Sequence, residues 1–146
     1  SKQLQYQIAQ VYSGVGNQAK MKYHLKELVE RKDLLLEDYI LYGKTFIQLL
    51  EDYDESKLIF ETIYQNYKLI EQSILRRGFT ATKISETEWQ DWQQSLPEII
   101  YLLFFSYKNL EMYDEAKILL NDWINKNPAD DNAKELLEEI LQLESS

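Results

Sequence analysis

The sequence repeats a pattern of small and large residues at an interval of 34 positions. Ala9 and Gly43, both small, stand 34 positions apart. The aromatic residues Tyr12 and Phe46 share that interval. A recurrence of this length is typical of a chain that folds as a series of similar units, each of which buries its apolar face only against its neighbours. The repeat therefore constrains the fold more strongly than any single residue does.

Each unit is predicted to be helical, because residues that break helices are scarce. The chain has 4 Gly and 2 Pro among 146 residues, and its apolar residues recur three and four positions apart along most of its length. That spacing places them on one face of a helix. Val, Ile and Thr do not alternate with polar residues over any useful length, so strands are not expected. We predict an all-α fold built from pairs of antiparallel helices.

The clearest unit covers residues 97–130. Ser95 is expected to cap its first helix, with Pro97 in the first turn, where its missing N–H costs nothing. The first helix is predicted to run over 99–110. The second is predicted to begin near Tyr113 and to end before Pro128.

The apolar positions of this unit identify a family resemblance. They are Ile100, Leu103, Phe104, Tyr107, Ala116 and Leu120, followed by Pro128. The spacing resembles the tetratricopeptide repeat, a helix–turn–helix motif of about 34 residues with the pattern W-x-x-L-G-x-x-Y, A-x-x-x-F and P. In this unit Ile, Phe and Leu replace the Trp, Gly and Phe of the motif. The resemblance implies a right-handed solenoid of helical hairpins, folded as one domain over residues 1–146, with a C-terminal capping helix.

Weaker copies of the motif keep its spacing. Small residues let the two helices of a hairpin approach closely, and large ones fill the seams between hairpins. The predicted repeats span residues 2–35, 36–70 and 97–130, and the capping helix spans 131–144.

Residues 71–96 interrupt the period. The second helix of the second repeat is expected to continue beyond its repeat and to end at Gly78, since glycine is a common helix terminator. Ser85 opens a capping-box signature for a short further helix that carries Trp89 and Trp92. We expect both tryptophans to pack onto the array. If they are exposed instead, they form a secondary partner-binding site.

Composition excludes several chemistries. The chain has no Cys, so it has no disulfide, no thiolate nucleophile and no Cys-ligated zinc. Its one histidine, His24, is expected to be exposed and cannot by itself form a two-His metal site. Acid–base catalysis needs a carboxyl in an apolar pocket, whereas the acidic residues here fall on predicted polar faces or at helix starts. We predict no enzymatic activity, no catalytic residue, no cofactor and no bound metal.

Charge and hydropathy limit the partners. The chain carries 16 Lys and Arg against 25 Asp and Glu, a formal net charge of −9, which disfavours nucleic-acid binding. No apolar run approaches the roughly 20 residues that span a bilayer, so no membrane insertion is expected.

The apolar residues Leu4, Ile8 and Val11 predict either a further helix upstream, in a larger chain, or association of copies into a homo-oligomer. The sequence leaves the compartment open, because a lack of cysteine fits a reducing or an oxidising one.

In tetratricopeptide arrays the first helix of each pair lines the concave inner surface, and the resemblance implies a binding stripe there. The residues of this inner stripe are Tyr6, Gln10, Ser13, Ile40, Lys44, Ile47, Tyr101, Phe105, Lys108 and Asn109. Aromatic, aliphatic and amide side chains together suit a peptide with apolar anchors. The alternative for Tyr101 and Phe105 is that the insertion or the preceding long helix covers them.

The resemblance implies a non-catalytic scaffold for protein–protein interaction that binds a peptide or a partner domain on its concave surface. The alternative is a peptide-sensing regulatory module of a larger signalling or transcription-control protein. Family members that bind the acidic C-terminal tails of chaperones have Lys and Asn where this chain has Tyr6 and Gln10. We therefore do not expect this chain to bind such tails. An acidic chain would also repel an acidic tail.

Overall fold

The computed structural model describes all 146 residues as α-helices joined by short turns, with no β-strand, and the predicted all-α class is confirmed. A 3-10 turn at Phe79–Ala81 joins the fourth helix to the fifth. The seven helices are α1 (Lys2–Gly14), α2 (Gln18–Val29), α3 (Leu36–Leu50), α4 (Tyr53–Arg77), α5 (Glu86–Asn109), α6 (Tyr113–Lys126) and α7 (Asp131–Glu144).

The helix starts are determined locally by capping side chains. In five helices the residue before the helix accepts a hydrogen bond from the backbone N–H three residues later, which satisfies a donor that has no partner within the helix. In α3 the carboxylate of Asp38 instead accepts from the N–H of Leu35 at 2.8 Å. The five side-chain caps are Ser1, Asn17, Asp52, Ser85 and Asp130.

The helices form two layers. Every helix packs against the next along the chain. Alternate helices lie side by side and run in the same direction. On one side Lys2 of α1 binds Asp38 of α3 at 2.8 Å. On the other, Lys22 of α2 binds Asp52 at the start of α4 at 2.7 Å. The odd-numbered helices therefore share one layer and the even-numbered helices the other.

Small residues set the closest approaches between the layers. A Cβ atom at Gly43 would lie 2.5 Å from Cζ of Phe60, so only glycine lets α3 approach α4 this closely. Between α4 and α5 the buried hydroxyls of Ser56 and Ser106 form a hydrogen bond of 2.7 Å. The core is continuous along the array, because one apolar cluster extends from Leu25 in α2 to Ile140 in α7.

The predicted helix start at Ser95 is wrong. α5 is one helix from Glu86 to Asn109 with Pro97 in its interior, so the short helix expected after Ser85 and the first helix of the third unit are continuous. Proline removes the hydrogen bond to the carbonyl of Gln93 and crowds that carbonyl. Both residues are exposed, so water can reach the freed carbonyl. Buried side chains on either side of the proline hold the two halves of the helix in line.

The lengthened ends of α4 and α5 pack against each other. α4 continues to Arg77 and stops at Gly78, whose φ of +72° ends the helix as predicted. Tyr67 of α4 stacks on Trp89 of α5, with ring centroids 4.8 Å apart. Most of the residues that break the 34-residue period therefore prolong one hairpin, and residues 78–85 form the connection between its two helices.

His24 lies in a different environment from the one predicted. Its ring is half buried and stacks parallel to Tyr12, with centroids 5.2 Å apart, while the edge of Tyr23 contacts it. The sequence predicted an exposed side chain at this position. The turn between α1 and α2 brings Tyr12 over it.

Candidate functional site

Two members of the predicted inner stripe belong to the core. Ile40 and Ile47 of α3 are each only 8% exposed, so neither is the open surface position that the predicted stripe requires. The reason is that α3 lies between α1 and α5 in its layer, and its flanks are covered where those of a surface helix would be free. These two residues are a correction to the predicted stripe.

Contacts within the protein occupy most of the remaining stripe. The hydroxyl of Tyr6 lies 2.8 Å from Oγ1 of Thr45. Lys44 binds Glu98 at 3.3 Å. Lys108 is paired with Glu139 of α7.

The aromatic end of the stripe is partly covered. Phe105 is half buried against the edge of Tyr53, with centroids 5.9 Å apart, and stacks on Tyr101 at 6.3 Å. Ser13 is half buried as well. The exposed members of the stripe are Gln10, Tyr101 and Asn109.

A groove opens instead between the start of α3 and the first half of α5. We call it the inner groove; its volume is about 600 Å³. Its apolar lining comes from Leu35, Leu36, Ile40 and Trp92. Its carboxylates are Glu37, Glu88, Asp91 and Glu98.

The carboxylates of the inner groove are largely unneutralised. Glu98 shares Lys44, and Glu88 accepts a hydrogen bond from the hydroxyl of Ser85 at 3.3 Å. Glu37 and Asp91 make no ion pair. The groove therefore presents uncompensated negative charge above an apolar floor.

Sequence reasoning missed the acidic side of this groove because it divided α5 in two. Glu88, Asp91 and Glu98 are spaced three and seven residues apart, which places them on one helix face. That face exists only when the helix continues through Pro97. With the helix divided at Ser95, the first two acids belonged to the insertion and the third to the repeat.

A second cavity lies behind the groove, between α2, α4 and the segment that enters α3. We call it the outer cavity; its volume is about 460 Å³. Most of its lining is apolar, including Leu34, Tyr39 and Ile63, and the ion pair of Lys26 with Glu55, 3.1 Å long, crosses between α2 and α4 at its side. Trp92 lines both the outer cavity and the inner groove.

The two tryptophans proposed as a secondary site thus have different roles. Trp89 is buried against Tyr67 and belongs to the core. Trp92 is half buried, 6.5 Å from the same ring, and forms the wall shared by the groove and the cavity. Burial, with Glu71 beside the hydroxyl, raises the pKa of Tyr67 to about 12, so the phenol stays neutral at physiological pH.

Neither metal-site geometry nor a membrane-spanning segment is found. No three His, Asp or Glu side chains converge in an arrangement that could hold a metal ion. None of the seven helices combines the length and the hydropathy needed to cross a bilayer. The chain matches no protein-family model, no curated protein and no solved structure.

Proposed function

We propose that this chain is a non-catalytic protein-interaction module that binds a basic, amphipathic peptide segment in the inner groove. The observation that carries the proposal is the combination of four carboxylates and an apolar floor in one groove of about 600 Å³. A polar rim around an apolar floor is the general form of a peptide-binding groove.

The charge of the groove selects the class of peptide. Lysine and arginine can lay their aliphatic stems on Leu36 and Trp92 and direct their charged ends to Glu37 and Asp91. An arginine over the face of Trp92 would gain a cation–π contact as well. The net charge of −9 attracts a basic segment over a longer range and repels an acidic one.

The architecture is part of the same proposal. We infer that the two layers continue into a right-handed superhelix of the tetratricopeptide kind, with α7 as its cap. The support is the 34-residue recurrence and the alternation of the helices between two layers. The odd-numbered helices then form the inner surface, which contains the inner groove.

The test measures binding of a fluorescent Lys- and Leu-rich peptide by anisotropy, with a Glu- and Leu-rich peptide for comparison. The double variant Glu88→Gln with Asp91→Asn should bind the basic peptide about tenfold more weakly, since two carboxylates worth about 0.7 kcal/mol each are lost. Affinity should also fall with added salt.

The matched control is Glu135→Gln with Glu138→Gln on the exposed side of α7, which removes the same net charge away from the groove. It should leave affinity within about twofold, because distant exposed charges are screened. Equal losses in both double variants would show that only net charge matters and that the inner groove is not the binding surface.

A further inference from the structure

The outer face of α1 is an apolar surface that nothing covers. Leu4, Ile8, Val11 and Val15 are 57%, 39%, 64% and 72% exposed. They are spaced four, three and four residues apart, as in a coiled-coil seam. The first three lie on one side of α1, and Val15 continues the stripe at the C-cap of the helix. We call this stripe the α1 face.

Elsewhere in the chain the equivalent positions are covered. A shift of 34 residues takes Leu4, Ile8 and Val11 to equivalent positions in α3. A further shift of 61 residues, which is the repeat interval plus the 27 residues of the interruption, leads to α5, and another 34 lead to α7. The three sets are Asp38, Tyr42 and Thr45, then Ile99, Leu103 and Ser106, then Ala133, Leu137 and Ile140. Seven of the nine are at most 4% exposed, and Asp38 and Leu137 are half buried.

Neighbouring helices provide the cover. On α3 it comes from α1, because Lys2 binds Asp38 and Tyr6 lies against Tyr42 and hydrogen-bonds to Thr45. α5 packs against α4, and α7 packs against α6. The hydrogen bond between Ser106 and Ser56 shows how tight the contact is, since neither hydroxyl reaches water. The α1 face is therefore the fourth copy of a surface that a neighbouring helix covers, and a helix is the element that fits it.

The stripe is complementary to itself in the antiparallel sense. When two copies of α1 cross about a two-fold axis between Ile8 and Val11, Ile8 of one copy meets Val11 of the other. Leu4 of one copy then meets Val15 of the other. A larger side chain opposes a valine in every pair, so the seam is even along its length.

The charges around the stripe also favour a second copy. α1 contains no acidic residue, and its one cation, Lys2, is bound to Asp38. Four glutamines, Gln3, Gln5, Gln7 and Gln10, flank the stripe. In a chain of net charge −9, this helix can meet its own copy without bringing like charges together.

We propose that two copies of this chain associate about a two-fold axis through their α1 faces. Each α1 takes, on the other copy, the place that a neighbouring helix takes on α3, α5 and α7. Four apolar side chains from each copy make a small interface, so the dimer is weak, with a dissociation constant on the order of micromolar. This pairing is independent of peptide binding in the inner groove.

Sedimentation equilibrium over a range of micromolar concentrations tests the pairing. The wild-type chain should show a reversible monomer–dimer equilibrium. Ile8→Glu with Val11→Glu should weaken it at least about a hundredfold, because carboxylates would be buried without partners. The control, Leu69→Glu with Ile118→Glu, changes apolar residues of α4 and α6 that are 63% and 64% exposed, and it should leave the equilibrium unchanged.

A charge-complementation experiment tests whether the α1 faces of two copies meet. Ile8→Lys with Val11→Lys should be monomeric alone and should form a heterodimer when mixed with Ile8→Glu/Val11→Glu, since opposite charges then face each other across the seam. Far-UV circular dichroism checks that every variant is folded. Three results would overturn the proposal: a wild-type chain that stays monomeric, assembly beyond the dimer, or equal loss of association in the α4 and α6 control.

Discussion

At the scale of single residues, the lack of a Cβ atom at Gly43 allows α3 and α4 to pack closely. We expect Gly43→Ala to lower the free energy of unfolding by about 1–2 kcal/mol. The new Cβ meets the buried ring of Phe60, and the cost of overpacking exceeds the roughly 1 kcal/mol that alanine gains in helix propensity. Urea unfolding followed by circular dichroism measures the change.

The control for this prediction is Gly14→Ala, at the last residue of α1, where a Cβ meets nothing within 4 Å. It should be neutral or stabilising by up to about 1 kcal/mol. Phe60→Leu added to Gly43→Ala should recover part of the loss, because the two side chains compete for one volume. Strictly additive losses in the double variant would contradict a direct clash.

Two of the buried tyrosines, Tyr67 and Tyr107, make the stability of the protein sensitive to alkali. The hydroxyl of Tyr107 donates to Glu61 at 2.6 Å, and burial together with that carboxylate raises its pKa. Burial likewise raises the pKa of Tyr67 to about 12. An unfolded tyrosine ionises near pH 10, so the folded state binds the phenolic proton more tightly. The stabilisation is complete below about pH 10 and is lost as pH rises through the folded pKa values.

We therefore expect the free energy of unfolding to fall more steeply above pH 10 in the wild type than in Tyr107→Phe, which has no proton to lose at that position. Urea titrations at several alkaline pH values provide the comparison. Tyr101→Phe, at a half-exposed ring, should keep the wild-type slope. Identical slopes in all three proteins would mean that Tyr107 does not contribute.

At the scale of single elements, α5 is the helix that sequence patterns and structure treat differently. A proline in a helix interior costs about 3 kcal/mol relative to alanine, whereas a proline in the first turn costs little. Pro97→Ala should therefore raise the free energy of unfolding by about 1–3 kcal/mol, as measured in urea. Pro128→Ala, beyond the end of α6, should have a small effect. A neutral or destabilising Pro97→Ala would indicate that a separate helix begins at Ser95.

Element ends were predicted well where they depend on local chemistry. Ser85 as a cap, Gly78 as a terminator and the start of α6 at Tyr113 all agree with the structure. Each depends on contacts within a few residues along the chain. The predicted helix start at Ser95 was wrong although its local capping signal is equally good. Burial of Trp89 and Leu96 outweighs that signal and keeps the helix continuous.

At the scale of the whole molecule, residues at the same position of the repeat are buried at one end of the array and exposed at the other. Ile140 in α7 is covered by α6, whereas its equivalent Val11 in α1 is 64% exposed. Ile140→Ala should cost about 2–5 kcal/mol through lost burial and a cavity. Val11→Ala, measured at a concentration low enough to keep the chain monomeric, should cost less than about 0.5 kcal/mol.

Urea unfolding of both variants makes the comparison, and Leu141→Ala controls for apolar truncation at an exposed site of α7. Similar losses for Ile140→Ala and Val11→Ala would mean that the two helices are equivalent in the folded chain. The array would then have no open end at α1, and the proposed pairing of two copies would lose its basis.

The candidate site was predictable only in part. The sequence identified Ile40 and Trp92, which line the inner groove, but placed Ile40 on an open surface and left Trp92 undecided. It did not identify Glu37, Glu88 or Asp91 as parts of one site. These acids come from two helices 50 residues apart, and their meeting depends on the angle between α3 and α5.

The sequence by itself determined the helical character of this protein, the caps and terminators of most helices, and the recurrence of small and large residues that lets hairpins stack. These depend on backbone preferences and on spacing along one helix, which a single chain segment carries. Only the tertiary structure decided that α5 is continuous, that the isoleucines of α3 are buried, and that acids from separate helices border one groove. Those outcomes depend on which surfaces meet, because burial between distant segments outweighs the local signal of a single proline or serine.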